Sequence, residues 1–156
     1  MRLSDLKSGD LLYWRGKGLY AWLVRKWTRS EWSHIAVFYR NGGDACFIDA
    51  APRIGVRSHF IANDWPDAAQ HTHCAWYPAT FAYAMSFVGQ KYDFLDAIRA
   101  AVGLPSKHRG YMCSEFAAAL MRHMGWGWPA NACPTPQQVA DVVDLGAGYR
   151  VERLDP

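Results

Sequence analysis

The sequence predicts an α+β domain in which an antiparallel sheet packs against helices. Three observations predict it. Short apolar runs bounded by turn residues dominate the first half of the chain, and helical spacing dominates the second. Asn41-Gly42-Gly43-Asp44 is a strong hairpin signal, flanked by runs rich in β-branched and aromatic residues. The chain has 156 residues, one domain's worth, and a chain of this size buries about two thirds of its unfolded surface without metal or disulfide staples. No repeat or low-complexity linker divides it, so residues 1–156 are read as one domain.

The elements follow in order. Ser8-Gly9-Asp10 is a turn, and Leu11 to Trp14 is a short apolar run of the buried-strand kind. Leu19, Trp22, Leu23 and Trp27 fall at helical spacing, with Arg25, Lys26 and Arg29 between and after them. This predicts an amphipathic helix over 18–28, a pattern that ordinarily turns its apolar stripe to the core. Thr28 to Ser33 is a polar break. His34 to Tyr39 reads as a strand, Ala45 to Ala50 as its return, and Gly55-Val56-Arg57 as the start of another. Asn63 to Asp67 reads as a loop, and His71 to Tyr77 alternates as a strand does. Pro78 opens a helix running to Gly89, and Tyr92-Asp93-Phe94 leads into a second that ends near Gly103-Leu104-Pro105. After a loop over 106–110, Cys113 to Met124 is a helix with Phe116, Leu120 and Met124 on one face, stopped by Gly125. Pro136 to Leu145 is a short helix and Tyr149 to Leu154 a last strand.

Composition excludes several function classes. Apolar residues make up 51% and charged residues 20%, which excludes disorder and a solvated tail. The net charge of +3 is scattered along the chain and well short of a nucleic-acid footprint. No stretch approaches the roughly 18 apolar residues of a membrane span. The first residues, MRLSDLKSGDLLYW, lack the apolar core of a signal peptide, so the expectation is a domain made in the cytoplasm and delivered to any extracytoplasmic target by a separate route. Cys46, Cys74, Cys113 and Cys133 form no CxxC pair, and free thiols are expected. GxSxG, HExxH and P-loop motifs are absent. Eight Trp, eight Tyr and seven Phe exceed the needs of a small core and leave aromatics for a binding groove.

Three residues are candidates for the chemistry, and on position alone Cys113 also reads as a small buried hydrophobe and His34 as a strand-end histidine satisfied by a backbone carbonyl. Cys113 follows a Gly110-Tyr111-Met112 loop and opens a helix. A thiol there feels the positive end of the helix dipole, which favours thiolate, and the unpaired N–H groups can hold an oxyanion. His34 begins an apolar strand and is placed to act as the base that activates a thiol. With the hairpin centred near 42–43, residue 34 falls opposite 51, so Asp49 lies within one or two pairs and can orient the imidazole. His59 is the alternative orienter if the register differs, and Asp44 belongs to the turn. His71 and His73 share a strand face but have no clear third ligand, so neither a metal nor another cofactor is expected. His108 and Arg109 contact an anionic substrate or lie on a solvated loop. Glu115 is assigned to structure. Trp126 and Trp128 line a groove or close the helix end.

The ordered conjunction Ser8-Gly9-Asp10-Leu11-Leu12, Trp32-Ser33-His34-Ile35-Ala36-Val37, Phe47-Ile48-Asp49-Ala50, Gly89-Gln90-Lys91-Tyr92-Asp93 and Tyr111-Met112-Cys113-Ser114-Glu115-Phe116 resembles the circularly permuted NlpC/P60 hydrolases, in particular their YiiX/YaeF-like branch. His34 precedes Cys113 by 79 residues, the reverse of papain's order, and the later Thr135-Pro136 fits the same branch. The resemblance covers roughly residues 8–140. It implies a permuted papain-like fold with the Cys helix on the sheet. It implies Cys113 as nucleophile, His34 as base and then acid, and a polar third residue on the next strand. That third residue is often Glu in this branch and is Asp49 here. Tyr111, Tyr92, Trp32, Ser33 and Ser114 are the implied substrate-side residues. The implied activity is hydrolysis of an amide through a thioester, on a peptidoglycan stem peptide or a related envelope substrate, as in bacterial or phage enzymes. A lipid acyl hydrolase or acyltransferase of the LRAT type is the alternative, although that branch carries Asn-Cys-Glu-His where this chain has Met112-Cys113-Ser114-Glu115. A non-catalytic Trp-rich domain binding peptidoglycan or peptide is the third reading.

Overall fold

A computed structural model describes residues 6–60, 70–73, 79–107, 109–145 and 150–152. The strands are β1 (Leu11–Trp14), β2 (His34–Asn41), β3 (Asp44–Ala51), β4 (Gly55–Phe60), β5 (Gln70–His73) and β6 (Arg150–Glu152). The helices are α1 (Leu19–Thr28), α2 (Ala79–Met85), α3 (Phe94–Ala101), α4 (Cys113–His123) and α5 (Pro136–Leu145). The strands form one sheet in the order β4-β3-β2-β1-β5-β6, and every pairing is antiparallel. The architecture is therefore α+β with an antiparallel sheet. Cys74, His108, the 63–67 loop and most of the 61–77 stretch lie outside the described residues, as does the start of α2 at Pro78.

The β2–β3 hairpin turns at Asn41↔Asp44, with Gly42 at φ 62, and from there the register runs to Ala36↔Asp49. One face of the sheet is covered by helices. Tyr13, Ile35, Val37, Tyr39, Ile48 and Ala50 meet Phe116, Leu120 and Met121 of α4 and Val139 and Val143 of α5 in one buried cluster. The other face carries a smaller cluster of Leu6, Leu12, Ala36, Phe38 and Phe47. Alternation along the middle of β2 thus sends Ile35, Val37 and Tyr39 to the helices and Ala36 and Phe38 to the opposite face. α4 is the central helix, buried from Cys113 to Met121.

Helix α1 departs from its expected orientation. Ala21, Val24 and Thr28 are its buried residues, while Leu19 is 72%, Trp22 46% and Trp27 54% exposed. The helix lies beside α3, where Tyr20 meets Phe94 edge-on at 5.9 Å, and it buries its small side chains while the large residues at helical spacing turn outward. A Cβ on Gly16 would come within 3.0 Å of the Ala21 Cβ, and only a small residue at position 21 tolerates so close an approach.

A short irregular segment, 89–91, is clamped between β4 and the loop before α4. Val56 N–H donates to the Gln90 carbonyl at 2.8 Å, Gly89 N–H to Val56 O at 2.8 Å, and Tyr111 N–H to Lys91 O at 2.9 Å. Two glycines permit the clamp. A Cβ on Gly55, whose φ is +92, would lie 2.0 Å from the Gln90 oxygen, and one on Gly110 would lie 2.3 Å from the Lys91 oxygen.

Candidate active site

The site is assembled where α4, β2 and β3 begin or end. Met112 is the N-cap, with extended backbone, and Glu115 at the third helical position accepts its N–H at 3.0 Å. That carboxylate holds the helix start, while Cys113 presents its thiol at the first helical residue, where backbone N–H groups lack intrahelical acceptors. Cys113 is buried and a free thiol, as are the buried Cys46 and the half-buried Cys133.

His34 stands at the first residue of β2, two along from Ala36, the residue paired with Asp49. His34 and Asp49 are therefore diagonal on one face. The His34 Nε2 and Asp49 Oδ2 lie 2.7 Å apart. Cys113 is close enough to act on the imidazole, and Nδ1 is the ring nitrogen that Asp49 leaves for the thiol. Burial works against charge on His34, but the Cys113 thiolate and the Asp49 carboxylate outweigh it and push the imidazole up to about 10. Burial likewise works against charge on Asp49, yet its bonds to His34 and Arg57 lower it to about 2. The arrangement brings together a thiol at a helix start, an imidazole and a buried carboxylate, the set of a thiol nucleophile, its base and the group that orients the base.

Three residues that the sequence reading had not assigned complete the site. Arg57 pairs with Asp49 in the β3–β4 register and donates Nε to Oδ1 at 2.8 Å and Nη2 to Oδ2 at 3.3 Å. Trp14 pairs with His34 in the β1–β2 register, and its ring meets the imidazole edge-on at 4.8 Å. Tyr20 of α1 shares a 2.8 Å hydroxyl–hydroxyl bond with Tyr92. The β3–β4 turn at 52–54 was a usable signal for Arg57. Trp14 and Tyr20 reach the site through long-range packing, which leaves no local trace.

The substrate-side residues divide. Tyr92 lies beside the thiol; burial, then the charge of Cys113 and the neighbouring Tyr20, raise its pKa. Tyr111 packs edge-on against Phe87 at 4.9 Å in the hydrophobic core's margin. Trp32 is 4% exposed and packs against Tyr13, while Ser33 donates to the Trp14 carbonyl at 3.2 Å. Ser114 is fully buried and donates to Pro134 O at 2.7 Å. Trp32, Ser33 and Ser114 thus spend their groups on the frame of the site. His59, the alternative orienter, flanks the carboxylate with Nε2 3.8 Å from Asp49 Oδ1.

Among the described residues, one group of potential metal ligands converges: Asp96, Glu115 and Cys133. Its atoms are already engaged. Asp96 accepts from the Ser106 hydroxyl and from Arg99 at 3.3 Å, and Cys133 donates to the Asp96 carbonyl at 3.1 Å. The group ties α3 to α4 and to the segment before α5. Trp126 and Trp128 pack at the margin of the main core, and Trp128 also lines a cavity of about 310 Å³ with Leu104, Pro105 and Cys133. His71 and His73 lie in β5. No protein-family model matches the chain, and no curated protein matches it.

Proposed function

We propose that this protein is a cysteine hydrolase of permuted papain-like fold that cleaves an amide bond through a thioester. The observation that carries the reading is His34, held at 2.7 Å by Asp49, with Cys113 at the start of α4 acting on the same imidazole. In this reading the Cys113 sulfur attacks the substrate carbonyl carbon. N–H groups at the start of α4 hold the oxyanion, and the His34 imidazolium protonates the leaving amine. Water then attacks the thioester with His34 as base, the acid leaves, and Cys113 regains its thiolate. Asp49 keeps the ring oriented and supports its charge without taking the proton. The resemblance to NlpC/P60 hydrolases supports a peptidoglycan stem peptide or related envelope amide as substrate. An ester or thioester could be opened by the same groups.

The test is the rate at which each cysteine is alkylated as a function of pH, read by mass spectrometry. The expected result is that Cys113 reacts fastest near pH 6, and that His34→Ala removes the advantage, a pH chosen to lie below the ordinary thiol range of about 8.5. Equal reactivity of Cys113, Cys46 and Cys133 in both forms would refute the thiolate–imidazolium pair and favour a binding domain.

A further inference from the structure

Helix α1 and helix α3 both turn apolar residues away from the core. On α1, Ala21, Val24 and Thr28 face inward, and Leu19, Trp22 and Trp27 stand on the opposite side at 72%, 46% and 54% exposure. On α3, Asp96 and Ala100 face inward, and Phe94, Leu95 and Ile98 are 45%, 57% and 48% exposed. The two faces are continuous. The Tyr20 ring meets Phe94 edge-on at 5.9 Å, and its hydroxyl meets that of Tyr92 at 2.8 Å. Val102 and Leu104, 64% and 51% exposed, extend the patch past the end of α3. Exposed aliphatic and aromatic residues gathered on adjacent helices mark an interaction surface.

The charge around the patch is one-sided. Residues 15–29 hold five Lys or Arg and no acid, and of the five Arg15 is paired with Glu31. Residues 94–109 hold three more and a single acid, Asp96, which is fully buried. The rest of the chain therefore has nine of the 17 basic residues against 13 of the 14 acidic ones. Lys26 and Arg29 are exposed on or beside the aromatic side of α1, and the Lys26 ammonium lies 4.7 Å from the Trp22 ring centre. Tryptophans, aliphatics and cations on one exposed surface are what the boundary of an anionic bilayer selects: the rings sit at headgroup depth, the aliphatics enter the acyl region, and the cations meet lipid phosphates.

We propose that α1 and α3 form a docking face for the surface of an anionic phospholipid bilayer, seating Tyr20, Tyr92 and the neighbouring Cys113 site at its edge. Other occupants fit less well. A second copy of this chain would bring Lys26 and Arg29 against their own counterparts with no acid on the patch to meet them. A glycan polymer would be gripped by the tryptophans but gains nothing from Leu95, Ile98 and Val102. The proposal does not need the hydrolase reading. Where both hold, the enzyme works on substrate displayed at a membrane.

Flotation of the full chain with phosphatidylglycerol–phosphatidylcholine vesicles and with pure phosphatidylcholine vesicles tests it. Binding is expected to the anionic vesicles, at least about tenfold weaker to the neutral ones, and reduced by high salt. Trp22→Ser with Trp27→Ser is expected to lower partitioning by at least about tenfold, as each buried ring carries a large share of interfacial affinity. Lys26→Glu with Arg29→Glu leaves the apolar residues in place and is expected to abolish the preference for anionic lipid, so the test survives if the tryptophan variant misfolds. Cys113→Ala is expected to bind like the parent. The proposal is overturned by absence of vesicle binding, by binding that both patch variants retain, by a solution dimer that they dissolve, or by their selective loss of binding to insoluble peptidoglycan. Loss of vesicle binding with Cys113 reactivity still dependent on His34 would remove the docking face and leave the hydrolase reading standing.

Discussion

Asp49 and Arg57 face each other across β3 and β4, and the guanidinium reaches both carboxylate oxygens, at 2.8 and 3.3 Å. The carboxylate that holds His34 is thus itself held. Its side chain is 1% exposed, and such a buried charge persists only with partners of this kind. Arg57 acts through Asp49 and is a positioning residue.

Arg57→Ala is therefore expected to slow Cys113 alkylation and turnover about tenfold, the scale of one charge-assisted hydrogen bond. Because Arg57 lowers the Asp49 pKa, its loss moves the acid limb of the pH profile upward. Arg57→Lys keeps the charge without the fork and should restore part of the shift. An unmoved acid limb in Arg57→Ala would assign the arginine to stability alone.

Cys113 and Asp49 both favour the charged form of His34 against its burial. The His34 NMR titration is expected well above the ordinary 6.5 in the parent, at about 10, and lower in Cys113→Ala. The sign for folding follows. A raised folded pKa contributes stability that is complete below about 6.5 and is lost as pH rises through about 10. Asp49, lowered to about 2, contributes stability that is present above its ordinary 3.8 and lost as pH falls through 2. Denaturant midpoints across pH should show both limbs, and Cys113→Ala should flatten the alkaline one. His34→Ala is expected to cost turnover about 10²–10⁴-fold, the usual contribution of a general base.

Glu115 behaves oppositely to Asp49. Burial raises its carboxyl from 4.5 to about 7. The folded state then holds the proton more tightly than the unfolded chain, so stability falls between pH 4.5 and 7 and levels above. Glu115→Gln can keep the acceptor for Met112 N–H while removing the buried charge. It is expected to stabilise the fold at pH 8 by up to about 3 kcal/mol, at 1.36 kcal/mol per pKa unit, and to be near neutral at pH 5. Urea denaturation at both pH values checks this, and a loss of stability at pH 8 would show the charged form to be the favoured one.

Gly110→Ala places a methyl group 2.3 Å from the Lys91 oxygen, a backbone atom that cannot swing aside. The 89–91 segment must shift, and Tyr92 with it. The expected cost is about 1–3 kcal/mol, the range of core overpacking, together with an altered Cys113 alkylation rate. A wild-type thermal midpoint and rate would show that the clamp is loose.

The hairpin shows what the sequence determines by itself. A tight turn at 41–44 sets the pairing of every residue along β2 and β3, so the diagonal approach of His34 and Asp49 was legible from chain distance alone. The opening of α4 at Cys113 was legible for a similar local reason, since the Gly110 loop and the apolar spacing of Phe116 and Leu120 are both written within a dozen residues. The orientation of α1 was not legible. Its Leu and Trp positions satisfy helical spacing equally well facing in or out, and only the close packing of Ala21 and Val24 against their neighbours decides between them. The same holds for Trp14 beside His34, and for Tyr20 against Tyr92, 72 residues away. Local turns and caps determine which residues are neighbours along two strands or one helix turn. Which elements lie against each other, and hence what surrounds the thiol and what faces outward, is decided by the burial that the whole chain achieves at once.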